Sequence, residues 1–262
     1  MKIKTLKIKN IIKIGFIILI VLPIFVSSII SLYEKRNIIY KKIIKELDTK
    51  KAYKDYISEA DKYWAQEILN GGYILHFRHA ERDKWIDVQM YDSLESDLHD
   101  NGNDESRYAE NEYFKNAVCL NERGKIQAKA MNEHIKFIGL KISHIVSSVS
   151  CRSRQTAKLA FGGYESIHRI LVHSGPYNEK KEDRINKLKE FYLQLPQNQD
   201  GNVIVSSHNS VIMPEMFENG NKFSNLSLEE GGFYIISKKK NKLYLEHEFN
   251  FFKDFVKIFY ER

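Results

Sequence analysis

The sequence predicts an α/β fold, a three-layer sandwich in which helices flank a mostly parallel sheet, preceded by an N-terminal transmembrane helix. From residue 73 onward, short apolar runs of strand length alternate with amphipathic stretches of helical period. This alternation is typical of sheets that carry helices on both faces. The anchor is predicted by one uncharged run of twenty residues near the N terminus.

The uncharged run extends from Ile14 to Tyr33 and consists mainly of Ile, Leu, Val and Phe. A helix of this length rises about 30 Å, the thickness of a hydrocarbon core. Five lysines and no acid precede it, which favours a cytoplasmic N terminus and an extracytoplasmic, periplasmic bulk of the chain. A cleaved signal peptide is the alternative, but its apolar region is usually shorter. We therefore expect a single-pass anchor in the inner or plasma membrane.

The remaining elements follow in order along the chain. A basic tail (1–13) and the anchor (14–33) lead into an amphipathic helical linker (34–70) and an α/β domain (71–262). Strands are predicted at 73–78, 144–149, 169–172 and 203–207, and helices at 122–138, 152–161 and 179–195. A helical turn at 213–217 precedes a hairpin of 233–237 and 243–249 around a lysine-rich turn. Residues 83–117 break the rhythm as an acidic insertion.

The net charge of +7 is unevenly distributed. Lysines crowd residues 2–51 and 238–242, whereas residues 83–112 hold ten acids and two basic residues. Basic flanks beside a bilayer are typical of lipid contacts and topology signals, and no aromatic-interleaved basic motif is present. We therefore expect a membrane and not a nucleic acid as partner. Cys119 and Cys151 are compatible with one disulfide outside the cytoplasm or with two free thiols.

Histidines and arginines follow three of the predicted strands. Arg78 and His79 follow the first, Arg152 follows the second, and His208 ends the run Val203-Ile204-Val205-Ser206-Ser207. In open α/β sheets ligand groups gather at the carboxyl ends of the strands. Guanidinium groups bind phosphate oxygens in bidentate fashion, and an imidazole can attack phosphorus. The pattern therefore predicts a phosphate site.

Four segments in this region resemble the histidine phosphatase superfamily, which has the phosphoglycerate mutase-like fold. They are Arg-His-Ala-Glu at 78–81, Leu-Asn-Glu-Arg-Gly-Lys-Ile-Gln-Ala at 120–128, Ser-Ser-Val-Ser-Cys-Arg-Ser-Arg-Gln-Thr-Ala at 147–157, and Ser-Ser-His at 206–208. The resemblance spans residues 73–249 in the order of the family. With the N-terminal membrane segment, Arg-His-Ala-Glu-Arg is most similar to the lipopolysaccharide core heptose phosphatases.

The resemblance implies a phosphoric monoester hydrolase of the histidine acid phosphatase type. It makes His79 the nucleophile that becomes phosphohistidine, with Arg78 and Arg152 gripping the phosphoryl oxygens and His208 as a further donor. Water then hydrolyses the intermediate, and neither a metal nor another cofactor is required. One departure is the dipeptide Asn-Ser after His208, where the family usually has glycines.

The resemblance places the general acid on a carboxylate in the loop after the third strand. Glu179 is the first choice and Glu182 the second, while Glu81 is a rival because it lies two residues from the nucleophile. Arg154 is expected on a helix surface.

The sequence is compatible with two substrate classes for a phosphatase and with one non-catalytic function. A sugar phosphate or cell-envelope glycan phosphate is the expected substrate. A phosphohistidine or phosphoprotein is the alternative substrate. The third possibility is a non-catalytic, membrane-tethered phosphate-binding module, because binding needs only the cationic groups.

Overall fold

The computed structural model describes residues 57–83, 119–172, 180–197, 199–223 and 226–260. The chain divides into two compact units, Met1–Tyr56 and Ile57–Arg262, and all described residues belong to the second. The predicted tail, the anchor, most of the linker and nearly all of the acidic insertion lie outside the described residues. In the described ranges, no helix has both the length and the apolar character that a bilayer crossing needs.

Five α-helices and six strands are described. In chain order they are α1 (Glu59–Asn70), β1 (Ile74–Arg78), α2 (Glu122–Ile138), β2 (Ile142–Ser148), α3 (Cys151–Phe161), β3 (Ser166–His168), α4 (Lys181–Gln194), β4 (Asn202–Ser207), β5 (Phe233–Lys239), β6 (Lys242–Phe249) and α5 (Phe252–Tyr260). Four single-turn 3-10 helices lie between them, at Arg169–Leu171, Asn209–Val211, Pro214–Met216 and Gly220–Lys222.

The six strands form one mixed sheet in the order β3-β2-β4-β1-β5-β6. The first four strands in this order run parallel, while β5 pairs antiparallel with β1 and β6 pairs antiparallel with β5. The predicted hairpin is therefore the antiparallel end of the sheet. Its two-residue turn uses Lys240 and Asn241 at φ 50° and 59°, the positive values that a tight hairpin turn of this kind requires. The predicted α/β class is confirmed.

Two apolar cores cover the two faces of the sheet. Alternate residues of β1 point to opposite faces, so Leu75 and Phe77 join one core and Ile74 joins the other. Helices α1, α2, α3 and α5 pack on the first face, and α4 packs on the second. The ring centroid of Phe77 lies 4.8 Å from that of Phe161 and 4.6 Å from that of Phe233. The strand that carries the predicted nucleophile is thus fixed from both sides.

Side-chain caps explain where the first two helices begin. Ser58 and Asp61 form a reciprocal capping box at α1, and the Asn121 side chain accepts the Gly124 N–H at the start of α2. Gly139 ends α2 in the left-handed conformation at φ 72°, which costs glycine little because it lacks a Cβ.

Two sequence predictions differ from the structure. The strand predicted at 169–172 is instead a 3-10 turn that directly follows β3, and in this turn the Val172 N–H donates to the Arg169 carbonyl at 3.0 Å. The apolar run there is buried beneath β4, where the Leu171 carbonyl accepts the Ser207 hydroxyl at 2.7 Å. Helix α5 was not predicted, although its apolar residues recur at helical spacing.

Candidate active site

The register of β1 and β4 brings two histidines side by side. Arg78 pairs with Ser207 at the carboxyl ends of these parallel strands, so His79 and His208 are the next residues on each. The His79 N–H donates to the Ser207 carbonyl at 3.0 Å. The ring centroids of His79 and His208 are 5.3 Å apart, and both side chains are buried.

Arg152 reaches the same point from the first turn of α3. The chain leaves β2 at Ser148 and enters α3 at Cys151, so this turn lies beside the end of β4. The buried Arg152 guanidinium has its Nη2 3.2 Å from Nδ1 of His208. The exposed backbone N–H groups of a helix N terminus also favour an anion. The site therefore joins two imidazoles, a guanidinium and a helix N terminus.

The contacts of His208 define its tautomer. A guanidinium can only donate, so Nδ1 of His208 accepts from Arg152 and Nε2 carries the proton. Nε2 lies 3.2 Å from the Ser148 hydroxyl and 3.4 Å from the Ser153 hydroxyl. The arrangement is that of an imidazole protonated on Nε2, with the Nε2–H directed at these two hydroxyls.

His79 is held in the complementary form. Its Nδ1 lies 2.7 Å from the Ala80 carbonyl, which can only accept, so Nδ1 carries the proton and Nε2 keeps its lone pair. Burial and the neighbouring Arg152 guanidinium hold the pKa of His79 well below its usual value, with smaller contributions from Arg78 and Arg82. The hydrogen bond to Ala80 opposes this shift without cancelling it. Nε2 is therefore a nucleophilic nitrogen at neutral pH.

The backbone after His79 is fixed by two motif side chains to which the sequence assigned no role. The Ala80 N–H donates to the Thr156 hydroxyl at 2.9 Å, and the Glu81 N–H donates to the Gln127 side chain at 2.9 Å. Gly124 allows α2 to approach this segment, because a Cβ there would lie 2.0 Å from the Glu81 carbonyl oxygen. The Thr of the Arg-x-x-Gln-Thr-Ala pattern and the Gln of the Gly-x-x-Gln-Ala pattern thus position the backbone after His79. Both patterns are visible in the sequence and could have indicated this role.

A further histidine lies behind the site. The His76 Nε2–H donates to the His208 carbonyl at 3.0 Å, so its Nδ1 accepts from the Tyr192 hydroxyl at 2.6 Å. Burial lowers the pKa of His76 to about 4. His76 is therefore a neutral structural residue that positions the backbone of His208.

Arg78 lies at the rim of the site and is half-buried. Its Nη1 donates to the Leu228 carbonyl, and its Nη2 is 3.7 Å from a carboxylate oxygen of Glu230. Glu230 is a carboxylate near the site that the sequence did not single out. It belongs to the segment before β5, where no strand end or motif marked it.

The three predicted acids have different outcomes. Glu179 lies outside the described residues. Glu182 is exposed on the first turn of α4. The carboxylate of Glu81 contacts the Arg123 guanidinium and the Asn121 side-chain amide, and both contacts direct it toward the start of α2.

For two residues of α3, the structure corrects one expectation and decides between two alternatives. Arg154, expected on the helix surface, is fully buried because α3 packs between α2 and the sheet. Cys151 forms a disulfide with Cys119, across a sequence separation of 32. This bond joins the start of the Arg152 helix to a residue two positions after the acidic insertion. In the described part of the chain, no group of three or more His, Cys, Asp or Glu side chains is arranged to hold a metal ion.

Comparison with known proteins gives matches among solved structures only. No family model matches the chain, and no curated protein matches it. The structure of the protein histidine phosphatase SixA complexed with tungstate is 11% identical, with 67% of this chain and 95% of that chain covered and a TM-score of 0.42. Phosphoserine phosphatase from Entamoeba histolytica in complex with 3-phosphoglyceric acid is 15% identical, with the same coverages and TM-score.

A third solved structure, the open reading frame Rv3214 from Mycobacterium tuberculosis, is 16% identical, covering 67% of this chain and 98% of that chain with a TM-score of 0.40. Likeness at this level does not define a reaction. The chemistry of the site therefore follows from its own side chains.

Proposed function

We propose that this protein is a phosphoric monoester hydrolase of the histidine phosphatase superfamily that carries the phosphoryl group on His79. One observation carries the proposal: the buried, neutral His79 ring has its Nε2 lone pair available beside the Arg152 guanidinium and the His208 ring. A phosphoryl group between them would meet a nucleophile on one side and donors on the others. The four sequence motifs support the same assignment.

The reaction follows from these groups in two steps. Nε2 of His79 attacks phosphorus and the P–O bond to the alcohol breaks, while a protonated carboxyl group gives its proton to the leaving oxygen. Arg152, Arg78 and the N terminus of α3 stabilise the charge on the phosphoryl oxygens, with His208 as a further donor. Water then attacks the phosphohistidine, and phosphate leaves with restoration of the imidazole.

The experiment that tests the proposal is turnover of para-nitrophenyl phosphate by the purified full-length protein. We expect phosphate release and an acid-labile phosphoprotein intermediate, both lost in His79→Ala. The matched control is His144→Ala, since His144 is a half-buried histidine on β2 whose Nδ1 lies 3.8 Å from Glu165. Phosphate binding without turnover at any pH would support the tethered binding module instead.

We assign the general acid to Glu179. Glu81 is the weaker candidate because its carboxylate is directed toward Arg123 and Asn121. An alkyl alcohol needs a proton to leave, whereas para-nitrophenolate does not. Glu179→Gln should therefore lower the turnover of an alkyl phosphate roughly 10²- to 10⁴-fold and that of para-nitrophenyl phosphate far less. The same selective loss in Glu81→Gln or Glu182→Gln, without it in Glu179→Gln, would identify that residue as the general acid instead.

The substrate class suggested by the motif Arg-His-Ala-Glu-Arg is a sugar phosphate or cell-envelope glycan phosphate, with phosphohistidine and phosphoprotein as the alternative. Relative kcat/KM values for a sugar phosphate and a phosphohistidine peptide distinguish these two classes. A higher kcat/KM for the phosphohistidine peptide would make phosphohistidine and phosphoprotein the favoured substrate class.

We propose that the α/β domain is held outside the cytoplasm by the segment 14–33. The disulfide Cys119–Cys151 supports this location, because such bonds persist in oxidising compartments and are rare in the cytosol. Alkylation of intact cells followed by mass spectrometry should find both cysteines paired and the protein in the membrane fraction. Two alkylated thiols in a cytosolic fraction would contradict the proposal.

A further inference from the structure

A groove between α2 and α5 adjoins the candidate site and takes no part in the phosphate chemistry. It has a volume of about 480 Å³. Met131, Phe252 and Val256 are buried and contribute apolar lining, while Ala130 and Tyr260 contribute from exposed positions. Its volume lies within the range of small-molecule pockets, which are lined mainly by apolar and aromatic side chains.

Two residues connect the groove to the site. Gln127 lines the groove and also accepts the Glu81 N–H, two residues after the nucleophile, at 2.9 Å. Its amide donates to the Glu230 carbonyl at 2.8 Å. Glu230 lines the groove too, and its carboxylate is 3.7 Å from Arg78. The groove and the rim of the phosphate site thus share a wall.

We infer that this groove binds the apolar part of the alcohol in a phosphate monoester whose phosphoryl group lies at His79. The inference rests on the proposed function and narrows the phosphate monoesters to those whose alcohol, a sugar or another, carries an alkyl or aryl portion. The lining selects this class, because the hydroxyls of a bare sugar would lose their hydrogen bonds to water against Met131, Phe252 and Val256. Lys253 and Lys257 at the groove add positive potential that favours an anionic substrate.

The test compares methyl, butyl and hexyl phosphate as substrates of the full-length protein in detergent-free nanodiscs. These esters have alkyl leaving groups of similar chemistry and differ in apolar length. We expect kcat/KM to rise about fourfold for each methylene that enters the groove, the factor that corresponds to ~0.8 kcal/mol per buried CH₂ group. Ala130→Phe fills the groove from an exposed position and should remove this gain, so that the ratio of kcat/KM for hexyl phosphate to that for methyl phosphate falls close to one.

The matched control is Lys136→Phe, which adds the same ring at an exposed position of α2 outside the groove and should keep the gain. Should Ala130→Phe fail to fold, Ala130→Leu fills less of the groove and answers the same question. Turnover that is independent of chain length overturns the inference and leaves the proposed function standing. A gain that survives in the folded Ala130 variant also overturns it. Absence of turnover of the three alkyl esters alone overturns the inference, and absence of turnover of para-nitrophenyl phosphate as well removes the proposed function too.

Two other occupants give their own results. Another segment of the chain, or a second copy of it, would compete with the added ring. Ala130→Phe would then lower the unfolding midpoint or change the oligomeric mass without altering selectivity among the esters. Either result overturns the inference.

Discussion

Removal of the disulfide between Cys119 and Cys151 should destabilise the α/β domain by a predictable amount. The bond closes a loop with a sequence separation of 32. The chain-entropy relation gives an entropy loss of the unfolded chain of about 12 cal/mol/K for such a loop, or about 3.7 kcal/mol at 25 °C. In a unit the size of Ile57–Arg262, this corresponds to a decrease of about 7–15 °C in Tm.

The assay is denaturant unfolding of oxidised wild type, reduced wild type and the double variant Cys119→Ala/Cys151→Ala. Both cysteines are buried, so alanine replaces them without adding a buried hydroxyl. Reduced wild type and the double variant should lose similar free energies of unfolding, and reductant should not affect the double variant. A difference below about 1 kcal/mol between oxidised and fully reduced wild type would refute the loop-closure reasoning.

Three further predictions follow from contacts of the site. Gly124→Ala should lower the free energy of unfolding by about 1–3 kcal/mol in denaturant titrations, because the added Cβ would lie 2.0 Å from the Glu81 carbonyl oxygen. The control Lys125→Ala, on the same helix, should change this free energy by less than about 0.5 kcal/mol. Folding lowers the pKa of His76 from 6.5 to about 4, so between these pH values the folded state binds fewer protons than the unfolded state. The contribution of His76 to the free energy of unfolding is therefore fully present above pH 6.5, and this free energy should fall by about 3 kcal/mol as the pH decreases to 4. His76→Gln should lack this part of the pH dependence, and an equal slope in variant and wild type would contradict the assignment. Since the pKa of His79 is held well below its usual value, the acid limb of kcat/KM for para-nitrophenyl phosphate should lie below pH 6.5, and a limb at or above 6.5 would show that His79 is not the titrating nucleophile.

The parts of the site that lie at strand ends could be predicted from the sequence. His79 and His208 follow short apolar runs, and parallel strands end at the same edge of a sheet, so their proximity follows from topology alone. The tautomers and the pKa of His79 could not be predicted, because they depend on the Ala80 carbonyl and on the burial of Arg152.

The sequence predictions that differ from the structure concern residues whose environment is set by tertiary packing. Arginine is usually solvated, and only the placement of α3 between α2 and the sheet makes Arg154 buried. For Cys119 and Cys151 the sequence left a disulfide and two free thiols as alternatives, because two cysteines in a chain of unknown compartment do not decide between them. The short run at 169–172 has strand composition, and periodicity alone cannot tell a paired strand from a buried turn.

The pairing of β1 with β4 has a consequence for synthesis of the chain. Ile74 pairs with Val203 and Arg78 with Ser207, so the strand before the proposed nucleophile has no parallel neighbour until residues 202–207 have left the ribosome. Long-range parallel pairing also closes a large loop before it gains contacts. A nascent chain that has not yet released β4, or a chain truncated before residue 202, should therefore be unable to bind phosphate at His79, because the proposed site forms only when β4 pairs with β1.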